Sequence, residues 1–160
     1  MVSRLIFRVL LSALLPIIAN SSQQVYVVQT GTPVGIQNFV LLEAGCEWAG
    51  VGGQVFNQAG LPVSGLIVKL DGTIEGDPVL VYVVTGSSLQ LGPGGFDVYL
   101  TDHPVSTQSM LYLQLLDVTG APRSTRIPLD TYSSCSKNLL LVNLIEITQS
   151  IFWYLPIITQ

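Results

Sequence analysis

The sequence predicts an all-β fold: a sandwich or barrel of about seven to nine strands with extended terminal arms. Short runs rich in β-branched and aromatic residues recur along the chain, and turns rich in Gly and Pro separate them. Several of these runs alternate apolar and polar residues, which is the pattern of a strand with one buried face. After residue 21, no stretch combines helical periodicity with capping residues, so we expect no long helix.

The predicted strands can be placed one after another along the chain. In order they are GQVFN, GLIVKL, VLVYVV, SLQL, GFDVYL, MLYLQLL, TRIPL and NLLLVNLIEI. Alternation predicts which residues share a buried face: Leu66, Val68 and Leu70 in the second run, and Phe96, Val98 and Leu100 in the fifth. The third and the last runs are apolar on both faces, so each is either covered on both sides or requires a partner.

Two segments repeat the same spacing of polar, Gly and Pro residues. They read Asn-x-x-Gly-x-Pro at residues 57–62 and Asp-x-x-Gly-x-Pro at residues 117–122. Asn and Asp side chains bond to the backbone two residues on, Gly accepts a positive φ, and Pro can begin the return strand at a sheet edge. Both segments are therefore predicted to be hairpin turns.

The N-terminal segment has the layout of a secretory signal peptide. Arg4 and Arg8 precede an apolar stretch, and Ala19-Asn20-Ser21 supplies small residues for cleavage. The apolar stretch is shorter than the roughly 20 residues of a membrane-spanning helix, and an uncleaved signal anchor is the alternative. We therefore predict a secreted protein, extracellular or at the cell surface, with no transmembrane span in the mature chain. Its predicted parts are a signal peptide (residues 1–21), an extended N-terminal arm (22–45), a β-sandwich domain (46–148) and an apolar C-terminal tail (149–160).

Charge and cysteine content narrow the classes of function. The net charge is −4, and charged residues make up 10% of the chain, against roughly 25% in ordinary soluble domains. Because the basic residues form no cluster, nucleic acid is not a predicted partner. In an exported chain, Cys46 and Cys135 predict one disulfide; two free thiols are the alternative if the protein is not exported. His103 is the one histidine and there is no C-x-x-C pair, so no metal site is predicted from these residues.

The cluster Gly50, Gly52 and Gly53 does not predict a phosphate-binding loop. Val55 stands where the G-x-G-x-x-G pattern needs its third glycine, and strand and turn residues follow instead of a helix. We expect these glycines to allow a bulge or a close approach of backbones at the start of the first core strand.

No catalytic residue and no cofactor are predicted, and we predict that the protein is not an enzyme. His103 lies in the turn-like segment TDHPV beside Asp102, and no Gly-x-Ser-x-Gly elbow provides a serine for it. We therefore expect an exposed loop histidine. Paired carboxylates for glycoside hydrolysis are the alternative, because such residues meet only through the fold.

Two further groups of residues have both a structural and a functional interpretation. Asp71, Glu75 and Asp77 form a calcium candidate within DGTIEGD, but their spacing differs from the EF-hand pattern and we predict a solvated hairpin loop. Lys69 and Asn143 are candidates for an intramolecular isopeptide bond, which would also need a nearby acid. The prediction for Lys69 is an ordinary outward-facing side chain.

The segment GVGGQVFNQAGLPVSGLIVKLDG resembles the start of carboxypeptidase regulatory-like (prealbumin-like) β-sandwich modules. Their signature is G-x-V-x-D-x-x-G-x-P-V-x-G-x-x-V, and the residues that match it are Gly53, Val55, Gly60, Pro62, Val63, Gly65 and Val68. Asn57 stands near the usual Asp, and GPGGFDVYL resembles that family's later strand of glycine followed by an aromatic residue. GCEW and DTYSSCSKNLLLVN are similar to modules of secreted bacterial surface proteins. The resemblance, over residues 50–145, implies an Ig-like or prealbumin-like antiparallel β-sandwich that is non-catalytic and has no active-site residues. We expect a single module with no enzyme attached.

The apolar ends of the chain are predicted to contact other molecules or the protein's own sandwich. QVYVV and IFWYLPII flank the sandwich, and Pro156 has no amide hydrogen, which suits an edge position. We expect at least one arm to add as an edge strand or to cover an apolar face, burying Phe152 or Trp153. The predicted interaction residues are Tyr26, Val28, Phe152, Trp153, Tyr154 and Leu155.

Three functions fit these observations. The leading prediction is a non-enzymatic module in cell-surface structure or adhesion. The alternatives are a self-assembling extracellular filament subunit that uses strand donation by its terminal arms, and a carbohydrate-binding module that uses Tyr99 and Trp48. The predicted partners are accordingly other proteins, further copies of the chain (a homo-oligomer or filament), or carbohydrate.

Overall fold

The computed structural model describes residues 22–150, which form ten β-strands and three short 3-10 helices. The strands are β1 (Ser22–Val28), β2 (Val34–Ile36), β3 (Ala49–Phe56), β4 (Ile67–Ile74), β5 (Asp77–Val84), β6 (Gly95–Thr101), β7 (Thr107–Leu116), β8 (Ile127–Thr131), β9 (Leu139–Leu141) and β10 (Leu144–Ser150). The 3-10 helices are Leu42–Ala44, Leu89–Leu91 and Cys135–Lys137. The predicted signal peptide and the predicted interaction residues Phe152, Trp153, Tyr154 and Leu155 lie outside the described residues.

Two sheets form the sandwich, so the predicted all-β fold is confirmed. The six-stranded sheet has the order β1-β10-β3-β9-β2 with β6 also paired to β3, and the four-stranded sheet has the order β5-β4-β7-β8. Residues 50–52 of β3 pair with both β6 and β9, so these two strands flank β3 on opposite sides. Both β9 and β10 run parallel to β3, which departs from the purely antiparallel expectation. Parallel pairing is possible because the chain reaches β9 by a crossover from β8 in the other sheet.

The predicted buried faces are confirmed in β4 and β6. Val68, Leu70 and Phe96 are fully buried, and Leu66 and Leu100 pack against the same core from partly buried positions. The core lies between the sheets, where leucines of β7 meet valines of β3. Most of the favourable free energy of folding comes from removing such apolar surface from water.

Two predicted strands differ from the structure. SLQL is not a strand, because Leu89–Leu91 forms a 3-10 turn in which Leu91 N–H bonds to the Ser88 carbonyl at 3.2 Å. NLLLVNLIEI is divided into β9 and β10 by an interruption at Val142 and Asn143. There the Asn143 Oδ1 accepts a hydrogen bond from the Gln54 N–H at 2.9 Å, so a side chain replaces one rung of the ladder.

The two repeated Asx-x-x-Gly-x-Pro segments form the predicted turns, with closely similar geometry. The Oδ1 atom of Asn57 accepts hydrogen bonds from the amides of residues 59 and 61 at 3.0 and 2.9 Å, and that of Asp117 accepts from residues 119 and 121 at 2.9 and 3.0 Å. Gly60 and Gly120 have φ values of 75° and 85°, which favour glycine. Both turns lie at the end of the sandwich where β3 and β7 finish, which we call the terminal end because β1 begins and β10 finishes there.

The glycine cluster of β3 allows close packing, as predicted. A Cβ atom on Gly53 would lie 2.6 Å from the carbonyl carbon of Val142, and one on Gly50 would lie 2.5 Å from the Trp48 ring. The register of β3 against β6 also shifts between Ala49 and Gly50. These glycines therefore let β3 approach its neighbours closely.

Cys46 and Cys135 form the predicted disulfide, with their Cα atoms 5.1 Å apart. One cysteine precedes β3 and the other precedes β9, so the parallel pairing of these strands brings both to the same end of the sandwich, opposite the terminal end. The buried side chain of Asn138 holds the same region, since its Nδ2 donates to the carbonyls of Gly45 and Trp48 at 2.8 Å. This disulfide end is thus fixed by a covalent bond and by buried hydrogen bonds.

Candidate interaction surface

The outer face of the four-stranded sheet carries a row of exposed apolar side chains on its edge strand β5. We call Leu80, Tyr82 and Val84 the outer row; their exposed fractions are 62%, 56% and 49%. The intervening Val79, Val81 and Val83 pack against the core, as the alternation of a strand requires. The run VLVYVV was predicted to be covered on both faces or to require a partner, and within the described residues its outer face is uncovered.

A group of charged and polar side chains lies beside the outer row. In the ladder between β4 and β5, Lys69 pairs with Tyr82 and Asp71 pairs with Leu80. Arg126 Nη2 donates to Asp71 Oδ2 at 2.5 Å, and Lys69 Nζ lies 3.7 Å from the same oxygen. These groups give the outer face a fixed polar region next to its apolar edge.

The Arg126 guanidinium also covers the Tyr112 ring, with 3.9 Å between its Cζ atom and the ring centroid. This cation–π contact holds the arginine flat against the sheet. Tyr, Met and Arg side chains are enriched at protein interfaces. All three types occur on this face, because Met110 on β7 is also exposed. An apolar row beside a polar region has the composition that protein-binding surfaces have.

The predicted N-terminal arm is an edge of the six-stranded sheet. β1 pairs with β10 over its whole length, and β2 pairs with β9. Tyr26 is 6% exposed and belongs to the core, and Val28 packs against it, so these predicted interaction residues contact their own sandwich. Burial raises the pKa of Tyr26, and the nearby Glu146 carboxylate adds to this effect. β1 therefore adds as an edge strand within a single molecule. The expected burial of Phe152 or Trp153 lies outside the described residues.

Comparisons with known proteins do not assign a family to this chain. No protein-family model matches the sequence, and no curated protein matches it. Among solved structures, the chain is similar to the dioxygenase domain of a dioxygenase carbohydrate-binding protein fusion from Streptomyces sp. SirexAA-E, with 12% identity and a TM-score of 0.31. The match covers 73% of this chain and 91% of the other, but at this TM-score it carries no functional argument.

His103 lies in the loop after β6, exposed as predicted, and both of its ring nitrogens face carboxylates. Nδ1 is 2.7 Å from Asp102 Oδ1, and Nε2 is 3.2 Å from Glu75 Oε1. The hydrogen bond to Asp102, followed by that to Glu75, raises the pKa of His103, and the His103 bond lowers the pKa of Asp102. His103 thus forms a polar link between the loop after β6 and the turn between β4 and β5.

We expect His103 to titrate above its ordinary pKa of 6.5. Because the folded pKa is raised, the stability gained from the charged ring is present below pH 6.5 and is lost as the pH rises through the folded value. An NMR titration of the ring protons measures this midpoint. Glu75→Gln should lower the midpoint, whereas Glu146→Gln, a control on β10 at the opposite end of the sandwich, should leave it unchanged. His103→Ala should change stability little, because the ring is exposed. A midpoint at or below 6.5 would contradict this assignment.

The calcium candidate is not assembled in the structure. Asp71 is paired with Arg126 and Lys69, and Glu75 is bonded to His103. In residues 22–150 no group of three or more His, Cys, Asp or Glu side chains is placed to hold a metal ion. The three carboxylates thus lie on the β4–β5 hairpin, with Asp71 and Glu75 in separate ion pairs.

Lys69 and Asn143 are not brought together either. Lys69 lies on the outer face of the four-stranded sheet, whereas Asn143 interrupts the other sheet between β9 and β10.

Nothing in the described range is a helix long and apolar enough to cross a membrane.

The two aromatic residues proposed for carbohydrate binding differ in exposure. Tyr99 on β6 is 54% exposed, but Trp48 is 4% exposed because its ring packs over Gly50. The expectation that Trp48 is available to a ligand is therefore wrong. Exposed Tyr82 lies on the other sheet from Tyr99, so these tyrosines belong to separate outer faces.

Proposed function

We propose that this protein is a secreted, non-enzymatic β-sandwich module of cell-surface structure or adhesion that binds protein through the outer row. The observation that carries this proposal is the exposure of Leu80, Tyr82 and Val84 on one face of an edge strand. Exposed apolar rows are costly in a soluble monomer unless a partner covers them. Charged side chains beside the row provide the polar rim that protein interfaces have.

Secretion is supported by the signal-like residues 1–21 and by the disulfide between Cys46 and Cys135. Disulfides persist in oxidising compartments outside the cytosol. The sequence resemblance to carboxypeptidase regulatory-like modules supports the same proposal, since such modules bind or build surfaces and do not catalyse reactions. The exposed His103 and its two carboxylate partners offer no nucleophile to an enzyme hypothesis.

The proposal is tested by binding of labelled exported protein to cells of its source that still carry the gene. Wild-type protein should bind saturably. Leu80→Ser/Tyr82→Ser should weaken binding by at least about tenfold, because buried apolar anchors dominate interface energies. Tyr99→Ser is the matched control, since Tyr99 is also an exposed tyrosine on an edge strand but belongs to the other sheet.

Three results would contradict the proposal. Equal binding by the outer-row variant and the wild type would remove the outer row as the binding surface. Loss of binding in Tyr99→Ser alone, with competition by soluble glycans, would favour the carbohydrate alternative. Absence of wild-type binding to any surface component would remove the adhesion role.

A filament subunit is the second candidate, and the geometry of β10 favours it. Only Leu144 and Ile145 of β10 pair with β3, and the rest of the strand continues beyond Phe56 with β1 on one side. Within the described residues the other side of this extension has no ladder partner, so another strand could add there. In this candidate, deletion of residues 151–160 abolishes assembly while the sandwich stays folded.

A further inference from the structure

The free edge of β5 exposes backbone groups that a further strand could pair with. The amide of Thr85 donates to the Leu66 carbonyl at 2.8 Å. Hydrogen-bonded and non-hydrogen-bonded pairs alternate along an antiparallel ladder, so the amides of Val83, Val81 and Val79 face β4. Those of Leu80 and Tyr82 consequently point away from β4. Neither amide nor carbonyl of these two residues has a hydrogen-bond partner elsewhere in the described part of the chain.

Residues 79–84 of this edge lack the features that keep sheet edges from pairing, whereas Asp77 and Pro78 stand at the start of the strand. From Val79 to Val84 there is no charged residue, no Pro and no Gly. The opposite edge of the same sheet, β8, carries Pro128 and Asp130, and its ladder with β7 is irregular. Such residues and irregularities are the usual means by which natural edges avoid further strands. The contrast within one sheet marks residues 79–84 of β5 as the edge segment open to a partner.

We propose that β5 pairs antiparallel with β5 of a second copy, so that two four-stranded sheets join into one sheet across a two-fold axis at Val81. This proposal rests on the function proposed above, because it names a second copy as the partner of the outer row.

The register follows from which groups are free. With Val81 opposite its own copy, Leu80 of each chain lies opposite Tyr82 of the other. The free amides and carbonyls of these residues then bond to each other in both halves of the dimer. The same pairing stacks Leu80 on the partner's Tyr82 on the outer face, and apolar cross-strand pairs of this kind stabilise a sheet.

The charges of the strand are compatible with this symmetry. Asp77, the one charged residue of β5, would lie opposite Thr85 of the other copy and not opposite its own equivalent. A two-fold interface uses the same patch twice, so it tolerates no patch that repels itself. The apolar, uncharged stretch of β5 meets that condition, which favours a second copy over a partner selected by charge.

Sedimentation velocity of the exported, full-length protein over a concentration series tests the proposal. Wild-type protein should show a monomer–dimer equilibrium. Tyr82→Pro should raise the dimer Kd by about thirtyfold or more, because each copy loses an edge hydrogen bond. The same change should leave the fold intact, since the lost amide does not bond to β4 and Pro is accepted at sheet edges. A thermal melt of each variant checks that the fold is retained.

Cysteine cross-linking provides an independent reading of the register. Val81→Cys should form a disulfide-linked dimer under oxidation, because residues opposite each other across the axis have Cα atoms about 4.5–5.5 Å apart. Val83→Cys is the matched control, since it would face Val79 of the other copy and should not cross-link. Equal cross-linking at both positions would overturn the proposed pairing.

A wild-type protein that stays monomeric at every concentration would overturn the pairing. The proposed function would survive that result if Leu80→Ser/Tyr82→Ser still lost cell binding relative to Tyr99→Ser. A dimer that persists in Tyr82→Pro but disappears on deletion of residues 151–160 would assign self-association to the tail and would also overturn the pairing.

Discussion

Removing the disulfide between Cys46 and Cys135 is expected to lower the free energy of unfolding by up to about 4 kcal/mol. The cysteines are 89 residues apart, so the bond closes a long loop and strongly restricts the unfolded chain. It also ties the segment before β3 to the segment before β9, and both strands form the centre of the six-stranded sheet. Urea unfolding of Cys46→Ser/Cys135→Ser against the wild type measures the loss.

Two comparisons distinguish the stability contributed by the covalent bond from that contributed by the side chains around it. Wild-type protein unfolded in the presence of a reducing agent should match the double serine variant. Asn138→Ala should cause a separate loss, because the buried Asn138 amide holds the Gly45 and Trp48 carbonyls at the same end. A double serine variant as stable as the oxidised wild type would show that the disulfide contributes nothing to stability.

Replacing Gly53 with Ala is expected to lower the free energy of unfolding by about 3 kcal/mol or more. The added methyl group would meet the backbone of Val142, with its carbonyl carbon at 2.6 Å. Backbone atoms of a paired strand cannot move aside without breaking the contact between β3 and the last two strands. Denaturant unfolding monitored by circular dichroism measures the effect.

Gly52→Ala is the matched control in the same strand. A Cβ atom there would first meet the Cδ1 atom of Leu91 at 2.8 Å, at the far end of a flexible side chain that can shift. The loss for Gly52→Ala should therefore be clearly smaller. Similar losses for both variants would mean that the close approach of β3 to Val142 does not determine the stability of this sheet.

Local patterns in the sequence were sufficient for much of the fold. Alternation identified the buried faces of β4 and β6, because it depends on neighbours along a single strand. The two Asx-x-x-Gly-x-Pro turns were predictable for the same reason, since Asn57 and Asp117 bond within their own loops. The apolar run VLVYVV also indicated that β5 is either covered or lacks a partner.

The features that the sequence pattern did not predict depend on contacts between segments that are far apart in the chain. Whether VLVYVV is central or at an edge depends on the order of strands in the sheet, which alternation does not contain. Arg126 reaches Asp71 across 55 positions of the chain and also covers Tyr112, so the polar side of the interaction surface had no local signature. The predicted exposure of Trp48 failed likewise, because Gly50 provides the space in which the ring is buried.

The most direct test that the outer row is the binding surface is amide hydrogen exchange of β5 in two states of the protein. Exchange in the native cell-surface assembly is compared with exchange in dilute purified protein, and the strand carrying Tyr99 serves as an internal reference. A bound partner should slow exchange of the Leu80 and Tyr82 amides, because it covers groups that are free in the isolated chain. Exchange in β6 should stay the same. Unchanged exchange in β5, with new protection elsewhere on the sandwich, would contradict the assignment of the outer row as the binding surface.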